Sequence, residues 1–268
     1  MPTDLAAIAR DAMCLSESAF LKHYRRGRFR LWNGVGLTTS ELPGPGFNFA
    51  AAIGPCPPLD DILPVAREFF ADCDKGWGVL VEGDTGHPAE AELRARGWVV
   101  DEDEPAFVLP DIAAVPAAVP ETLTLRPVRT EEDRRTFQSV CAAAYAAPPD
   151  LGDLIMPSLA FALDPDMWWV IGEENGTPVA TGGYYRVGTT AVICCLATLA
   201  GYRGRGIGAG VMRAALDHAR AGGCPVATLR SGPKSVPLYE RLGFRYVGRH
   251  RTYAAPGGQC ETAGEKHS

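Results

Sequence analysis

The sequence predicts a mixed α/β protein (α+β, with a mixed central sheet flanked by helices) built as two related halves in tandem. Three observations lead there. Short apolar, partly β-branched segments alternate with amphipathic helical ones. Residues 110–121, PDIAAVPAAVPE, carry three spaced prolines that block helix continuation and favour an extended connector. Finally, Gly97-Trp98 overlies Gly243-Phe244 when the two halves are shifted onto one another, each pair closing a block of strand, Gly/Pro loop and short helix.

In chain order, Gly54-Pro55-Cys56-Pro57-Pro58 precedes a helix expected over Leu59 to Cys73. A strand follows at Val79-Leu80-Val81, then a short helix ending at Gly97-Trp98. Residues 1–109 form the first expected domain, 110–121 the linker and 122–255 the second domain. The tail, 256–268, lacks apolar residues and is expected to be disordered.

The second half opens with a strand, where Leu123, Leu125 and Pro127 alternate. Thr130 then caps a helix with an acidic first turn, running to about Ala146 before Pro148-Pro149. A helical stretch over Leu154 to Leu163 comes next. Trp168–Gly172 and Val179–Val187 read as a hairpin around Glu174-Asn175-Gly176. Ala191–Leu199 suits a central buried strand. A helix from about Gly206 to Ala221 puts Ile207, Val211, Ala214 and His218 on one face. The series closes with a strand at Val226–Leu229, a helix at Ser235–Leu242 and a strand at Phe244–Ala254.

Composition narrows the function. The chain has 268 residues, 46% apolar and 22% charged, enough for a packed core and too hydrophobic for wholesale disorder. A net charge of −6 disfavours nucleic acid and anionic membranes as partners. Asp4, Arg10 and Asp11 interrupt any signal-peptide core, and no run approaches the roughly 18 apolar residues of a membrane span. A cytoplasmic protein is expected. Its eight cysteines include no C-x-x-C pair and read as reduced, mostly buried thiols rather than metal ligands.

The segment that carries chemistry is Tyr202-Arg203-Gly204-Arg205-Gly206-Ile207-Gly208-Ala209, between a buried strand and an amphipathic helix. Glycines let backbone approach a ligand, the first helical amides lack internal acceptors, and the helix dipole favours an anion there. Arg203 and Arg205 add positive charge, so a pyrophosphate is the natural guest. Gly204, Gly206 and Ala209 also satisfy the G-x-G-x-x-A form of a nicotinamide dinucleotide fingerprint, with Arg230 available to a 2′-phosphate.

Arg203-x-x-Gly206-x-Gly208, followed by Leu238-Tyr239-Glu240-Arg241-Leu242-Gly243-Phe244, resembles the GNAT superfamily of N-acetyltransferases over about residues 122–254. Residues 1–109 resemble a degenerate copy without the pyrophosphate loop. The resemblance implies acetyl-CoA as co-substrate, no metal, and direct attack of an amine in a ternary complex. It implies that the strand at 191–199 splays from its neighbour. Backbone near Leu196, Ala197 and Thr198 would then hold the pantetheine, and the amides of Gly204, Arg205, Gly206, Ile207, Gly208 and Ala209 the pyrophosphate. Tyr239 would serve the departing sulfur as the acid, with Ser235 and Lys234 contacting the cofactor.

Three positions depart from the family pattern: Gly232 stands where many members have Asn, Ala200 where Pro is customary, and Val192 where some carry a carboxylate base. Candidate bases are therefore Glu173, Glu174, Tyr184, Tyr185, Tyr145, Asp150 and Asp153. His218 reads as structural. Trp168, Trp169, Phe161 and Met156 fall in the region that lines acceptor pockets in this fold, where a cleft-facing tryptophan would favour an apolar or cationic acceptor. Cys195 has no neighbour in sequence to activate it as an acyl carrier. The expected activity is acetyl transfer to a small-molecule primary amine, with no oligomeric state implied. A non-catalytic acyl-CoA sensor or scaffold is the alternative from another class, and the nicotinamide dinucleotide binder is the third.

Overall fold

The computed structural model describes residues 4–40, 42–53, 56–83, 86–116, 118–147 and 155–256. The first half starts with α1 (Leu5–Leu21), whose N-terminus is capped by the Asp4 carboxylate accepting from the Ala7 amide at 3.1 Å. β1 (Arg28–Trp32) and β2 (Val35–Thr39) form a hairpin whose turn residues, Asn33 and Gly34, both have positive φ. β3 (Phe49–Ala52), α2 (Leu59–Phe69), β4 (Gly78–Gly83), α3 (Pro88–Ala95) and β5 (Val99–Leu109) follow. α2 stops short of the expected Cys73. At Phe70 the backbone leaves helical geometry, and the amides of Ala71 and Cys73 bond in short turns to Glu68 and Phe70.

In the second half are β6 (Leu123–Pro127), α4 (Glu131–Tyr145), α5 (Leu159–Ala162), β7 (Met167–Glu174), β8 (Thr177–Val187) and β9 (Thr190–Thr198). α6 (Ile207–Ala221), β10 (Val226–Arg230), α7 (Val236–Arg241) and β11 (Arg245–Ala254) complete it. α4 begins with the expected Thr130 cap, elaborated into a capping box in which Asp133 reaches back to the Thr130 amide. Within the expected 154–163 stretch the structure shows only the four-residue α5, capped by Ser158. Pro148, Pro149, Asp150, Asp153, Leu154 and the tail beyond Pro256 lie outside the described residues.

The eleven strands of the described residues join one sheet in the order β1-β2-β3-β4-β11-β5-β10-β9-β8-β7-β6. The last strand of each half therefore sits with the other half. β11 pairs antiparallel with β4, and β5 pairs antiparallel with β10. β5 and β11 themselves pair from Val99↔Ala254 to Arg245↔Val108, with Glu104 opposite His250 at the centre. The shift that overlays Gly97-Trp98 on Gly243-Phe244 also carries Val99 onto Arg245 and Glu104 onto His250. The central pair is thus related to itself by a twofold axis between Glu104 and His250, and its two register shifts obey the same axis.

Helices cover both faces. α1, α4 and α5 pack on one through Met13, Phe137, Phe161, Trp169, Ile171 and Val192. On the other face, α6 packs on the second half through Trp168, Val170, Val211 and Leu216, and α2 and α3 cover the first half. Among the described residues, no helix is long and apolar enough to cross a membrane.

Candidate active site

The site starts where the sheet opens. β9 and β10 are parallel, but they pair only from Thr190↔Val226 to Val192↔Thr228. β9 then continues to Thr198 and β10 to Arg230, leaving the expected gap between them. A bulge drives the divergence. The β8/β9 register shifts between Thr181↔Ala197 and Gly183↔Cys194, and Cys195 takes a left-handed φ of 52°. The Thr181 hydroxyl donates to the Cys195 carbonyl at 2.9 Å and fixes the bulge.

Leu196, Ala197 and Thr198 border the resulting cavity, about 490 Å³ in volume. Two of their carbonyls already hold a side-chain donor: the Tyr145 hydroxyl reaches Leu196 O at 3.2 Å, and Arg203 Nε reaches Thr198 O at 2.9 Å. Each carbonyl keeps a second acceptor position.

The glycine-rich turn forms the opposite rim. Gly204 and Gly206 have φ of 78° and 79°, values that would strain any side-chain-bearing residue. Among the described residues no internal acceptor meets the amides of Gly204 through Ala209. The first to bond is Gly210, to the Gly206 carbonyl at 2.9 Å. These donors stand at the positive end of the 15-residue α6. All of the turn from Arg203 to Ala209 lines the cavity except Arg205.

The loop arginines do other work than the sequence suggests. Arg203 is a brace, donating to Ala144 O at 2.8 Å as well as to Thr198 O. Arg205 turns outward to Glu174 at 2.7 Å and lies over the Tyr202 ring at 5.2 Å. The additional cations at the cavity are Lys234 and Arg241, and among the described residues no carboxylate lines it. Arg241 is visible within the Leu238–Phe244 motif, but only the fold shows that it lines this cavity.

Tyr239 and Ser235 also line the cavity. Tyr239 is buried on α7 with its ring 6.2 Å from Phe107 of β5 and 5.8 Å from Phe244. Burial pushes its phenol up, the Ser231 and Ser235 hydroxyls pull back, and the Glu104 charge reinforces burial. The net effect keeps the proton on Tyr239 at neutral pH.

Of the candidate bases that the structure describes, only Tyr145 reaches the cavity. Glu173 pairs with Arg126 at 2.8 Å, and Glu174 with Arg205. Tyr184 hydrogen-bonds His218 Nδ1 at 3.0 Å on the α6 face, while Tyr185 is buried in the core under α1. The tryptophans do not face a cleft: Trp168 stacks on His218 at 4.5 Å and Trp169 on Phe161 at 5.4 Å, with Met156 in the same core as Trp169. A hydrogen bond from Cys141 lowers the Cys195 thiol, but Cys194 and burial outweigh it and leave it well above its ordinary range. That thiol is a poor nucleophile at neutral pH. The described cysteines are free, with Cys14, Cys141 and Cys224 buried and Cys56 exposed.

Comparison with known proteins agrees with this geometry. Residues 131–244 match the acetyltransferase (GNAT) family. The N-alpha-acetyltransferase RimI of Mycobacterium tuberculosis is 31% identical over 110 residues, 38% of this chain and 70% of that protein. The mycothiol acetyltransferase of Beutenbergia cavernae is 26% identical over 137 residues, 47% of this chain and only 46% of the relative. Among solved structures, a GCN5-related N-acetyltransferase from Kribbella flavida superposes with a TM-score of 0.71 at 19% identity. That likeness covers 95% of this chain and 96% of the other, so the whole two-half fold is shared.

Proposed function

The chain belongs to the acetyltransferase (GNAT) family, and on that premise we propose that it moves an acetyl group from acetyl-CoA to the primary amine of a small molecule. The observation that carries this reading is the row of unpaired amides from Gly204 to Ala209, opening on the same cavity as Tyr239. Those residues fit the cofactor. Its diphosphate would meet main-chain donors at a helix N-terminus, with Lys234 and Arg241 adding charge and no lining carboxylate repelling it. The free acceptor positions at Leu196 and Thr198, in the gap between β9 and β10, would align the pantetheine arm. Acetyl-CoA supplies an activated thioester. Tyr239 holds a proton beside Ser231 and Ser235, placed to deliver it to the departing sulfur.

A small acceptor is supported by the match to a protein named mycothiol acetyltransferase. That no carboxylate lines the cavity among the described residues is the one observation that favours the acyl-CoA sensor or scaffold instead. The nicotinamide dinucleotide alternative lacks its scaffold. Such sites sit in mostly parallel sheets, and among the described residues only β3/β4 and β9/β10 are parallel.

Calorimetry with CoA, followed by thiol release over a panel of amines, tests the proposal. Tyr239→Phe is expected to lose about 10²-fold or more in kcat while CoA affinity stays within about threefold. Binding without turnover of any amine identifies the sensor. No heat from CoA with the wild-type protein ends both readings.

A further inference from the structure

The exchange of β5 and β11 brings residues of the first half to the reacting end of the second half's site. β5 pairs with β10 up to Ala106↔Arg230, and the next amide, Ser231, bonds to the Pro105 carbonyl at 3.2 Å. Ser231 is the residue whose hydroxyl acts on the Tyr239 phenol, and Phe107 of β5 packs against the Tyr239 ring. One step along β5 from Pro105 is Glu104. Side chains alternate along a strand, so Glu104 and Glu102 project from the same face as Ala106, opposite Phe107. Arg230, paired with Ala106, shares that face and lies 3.8 Å from the Glu104 carboxylate and 3.7 Å from that of Glu102. Glu104 remains partly exposed, with 37% of its side chain accessible.

Among the described residues of the second half, no carboxylate lines the cavity. Val192 is buried under α1 and α4, and Glu173 and Glu174 are tied to arginines. The twofold axis sharpens the contrast. On that face Glu102 and Glu104 overlie Gly248 and His250, so the wall presented by β5 is acidic where its counterpart on β11 is not.

We propose that Glu104, delivered by the exchanged strand β5 and oriented by Arg230, binds the ammonium of the acceptor and takes its proton, with Glu102 beside it selecting cationic acceptors. The inference rests on the acetyltransferase reading and names a base for it. Glu104 takes one proton from the ammonium and passes it to solvent. The amine nitrogen then forms the C–N bond as the thioester C–S bond breaks. Tyr239 gives its proton to the sulfur, and the second proton lost by nitrogen restores the phenol.

The test compares wild type, Glu104→Gln and Glu104→Asp in the full-length protein, using CoA calorimetry and thiol release with amines from tyramine to spermidine. Glu104→Gln is expected to lose about 10²–10⁴-fold in kcat/KM with CoA binding unchanged, and Glu104→Asp to recover part of the loss. A second readout needs neither cofactor nor acceptor. Tyrosinate absorbance, taken as a difference against Tyr239→Phe, should show Tyr239 titrating at lower pH in Glu104→Gln. Turnover by Glu104→Gln within about threefold of wild type, or an unchanged Tyr239 titration, overturns the assignment while leaving the acetyltransferase reading intact. A wild-type protein that gives no heat with CoA, or binds it and acetylates no amine, overturns both.

Discussion

Asp164 gathers three donors at the turn between α5 and β7. Lys22 Nζ and His23 Nε2, just past the end of α1, each lie 2.7 Å from one carboxylate oxygen, and the Asp166 amide bonds the other at 3.0 Å. Burial pushes this carboxyl up, but Lys22, the Asp166 amide and His23 together hold it below its ordinary value. A depressed carboxylate contributes stability that is complete above the unfolded value of about 3.9 and is lost as pH falls through the lower folded value. Asp164→Asn should therefore cost about 1–3 kcal/mol near neutrality and blunt the acid side of the stability curve, read from urea unfolding at a series of pH values. At this scale the sequence shows backbone needs better than side-chain destinations. Gly204 and Gly206 are legible as a ligand turn because their left-handed backbone suits glycine, whereas Gly208 already has ordinary helical geometry. The fate of Arg203 and Arg205 was not legible, because the acceptors that capture them, Ala144 O and Glu174, lie far off in the chain. The Cys195 bulge was equally hidden, since its apolar neighbours read as unbroken strand.

Individual elements followed local signals wherever those signals were complete. The Thr130 cap, the Gly222-Gly223 stop of α6 and the Asn175-Gly176 turn all emerge within a residue or two of expectation. What fastens one element to another is non-local, and β11 shows it. Arg251 of β11 is buried against the carboxylate of Glu90 on α3, and also donates to the Gly83 carbonyl at 3.1 Å. The pair joins the last strand of the chain to a helix of the first half. Removing one member of a buried ion pair strands the other charge, a cost of about 3–5 kcal/mol. Glu90→Ala is expected to lower stability by about that much in denaturant titrations. A double variant, Glu90→Leu with Arg251→Met, should recover most of it, because an apolar pair of similar volume needs no desolvation of charge. Recovery absent from the double variant would show that Arg251 acts through Gly83 rather than through Glu90.

For the whole molecule, the sheet runs on unbroken through β4, β11, β5 and β10, and the stretch expected as an extended linker buries Ile112 in the core beside α6. The exchange was illegible in the sequence for a physical reason. Apolar alternation records which face of a strand is buried, and both β5 and β11 would bury the same faces beside either neighbour. The repeat gave the two halves but not which half receives each last strand. Exchange makes the halves mutually dependent. Without residues 1–109, the second half loses β5, and with it Phe107, Leu109 and the strand that covers β10. It also leaves β11 without either of its partners. Each large apolar side chain so exposed forfeits about 1.5–3 kcal/mol, and two open strand edges invite pairing with other copies. Residues 110–268 produced alone should therefore be aggregated or exchanged into dimers by light scattering, and should give no heat with CoA. Co-production with residues 1–109 should restore a one-to-one complex that binds CoA, and the intact chain should unfold in one calorimetric transition. A monomeric second half that binds CoA as tightly as the full chain would show that the strand exchange is dispensable. It would also remove the structural basis for a first-half residue acting beside Tyr239.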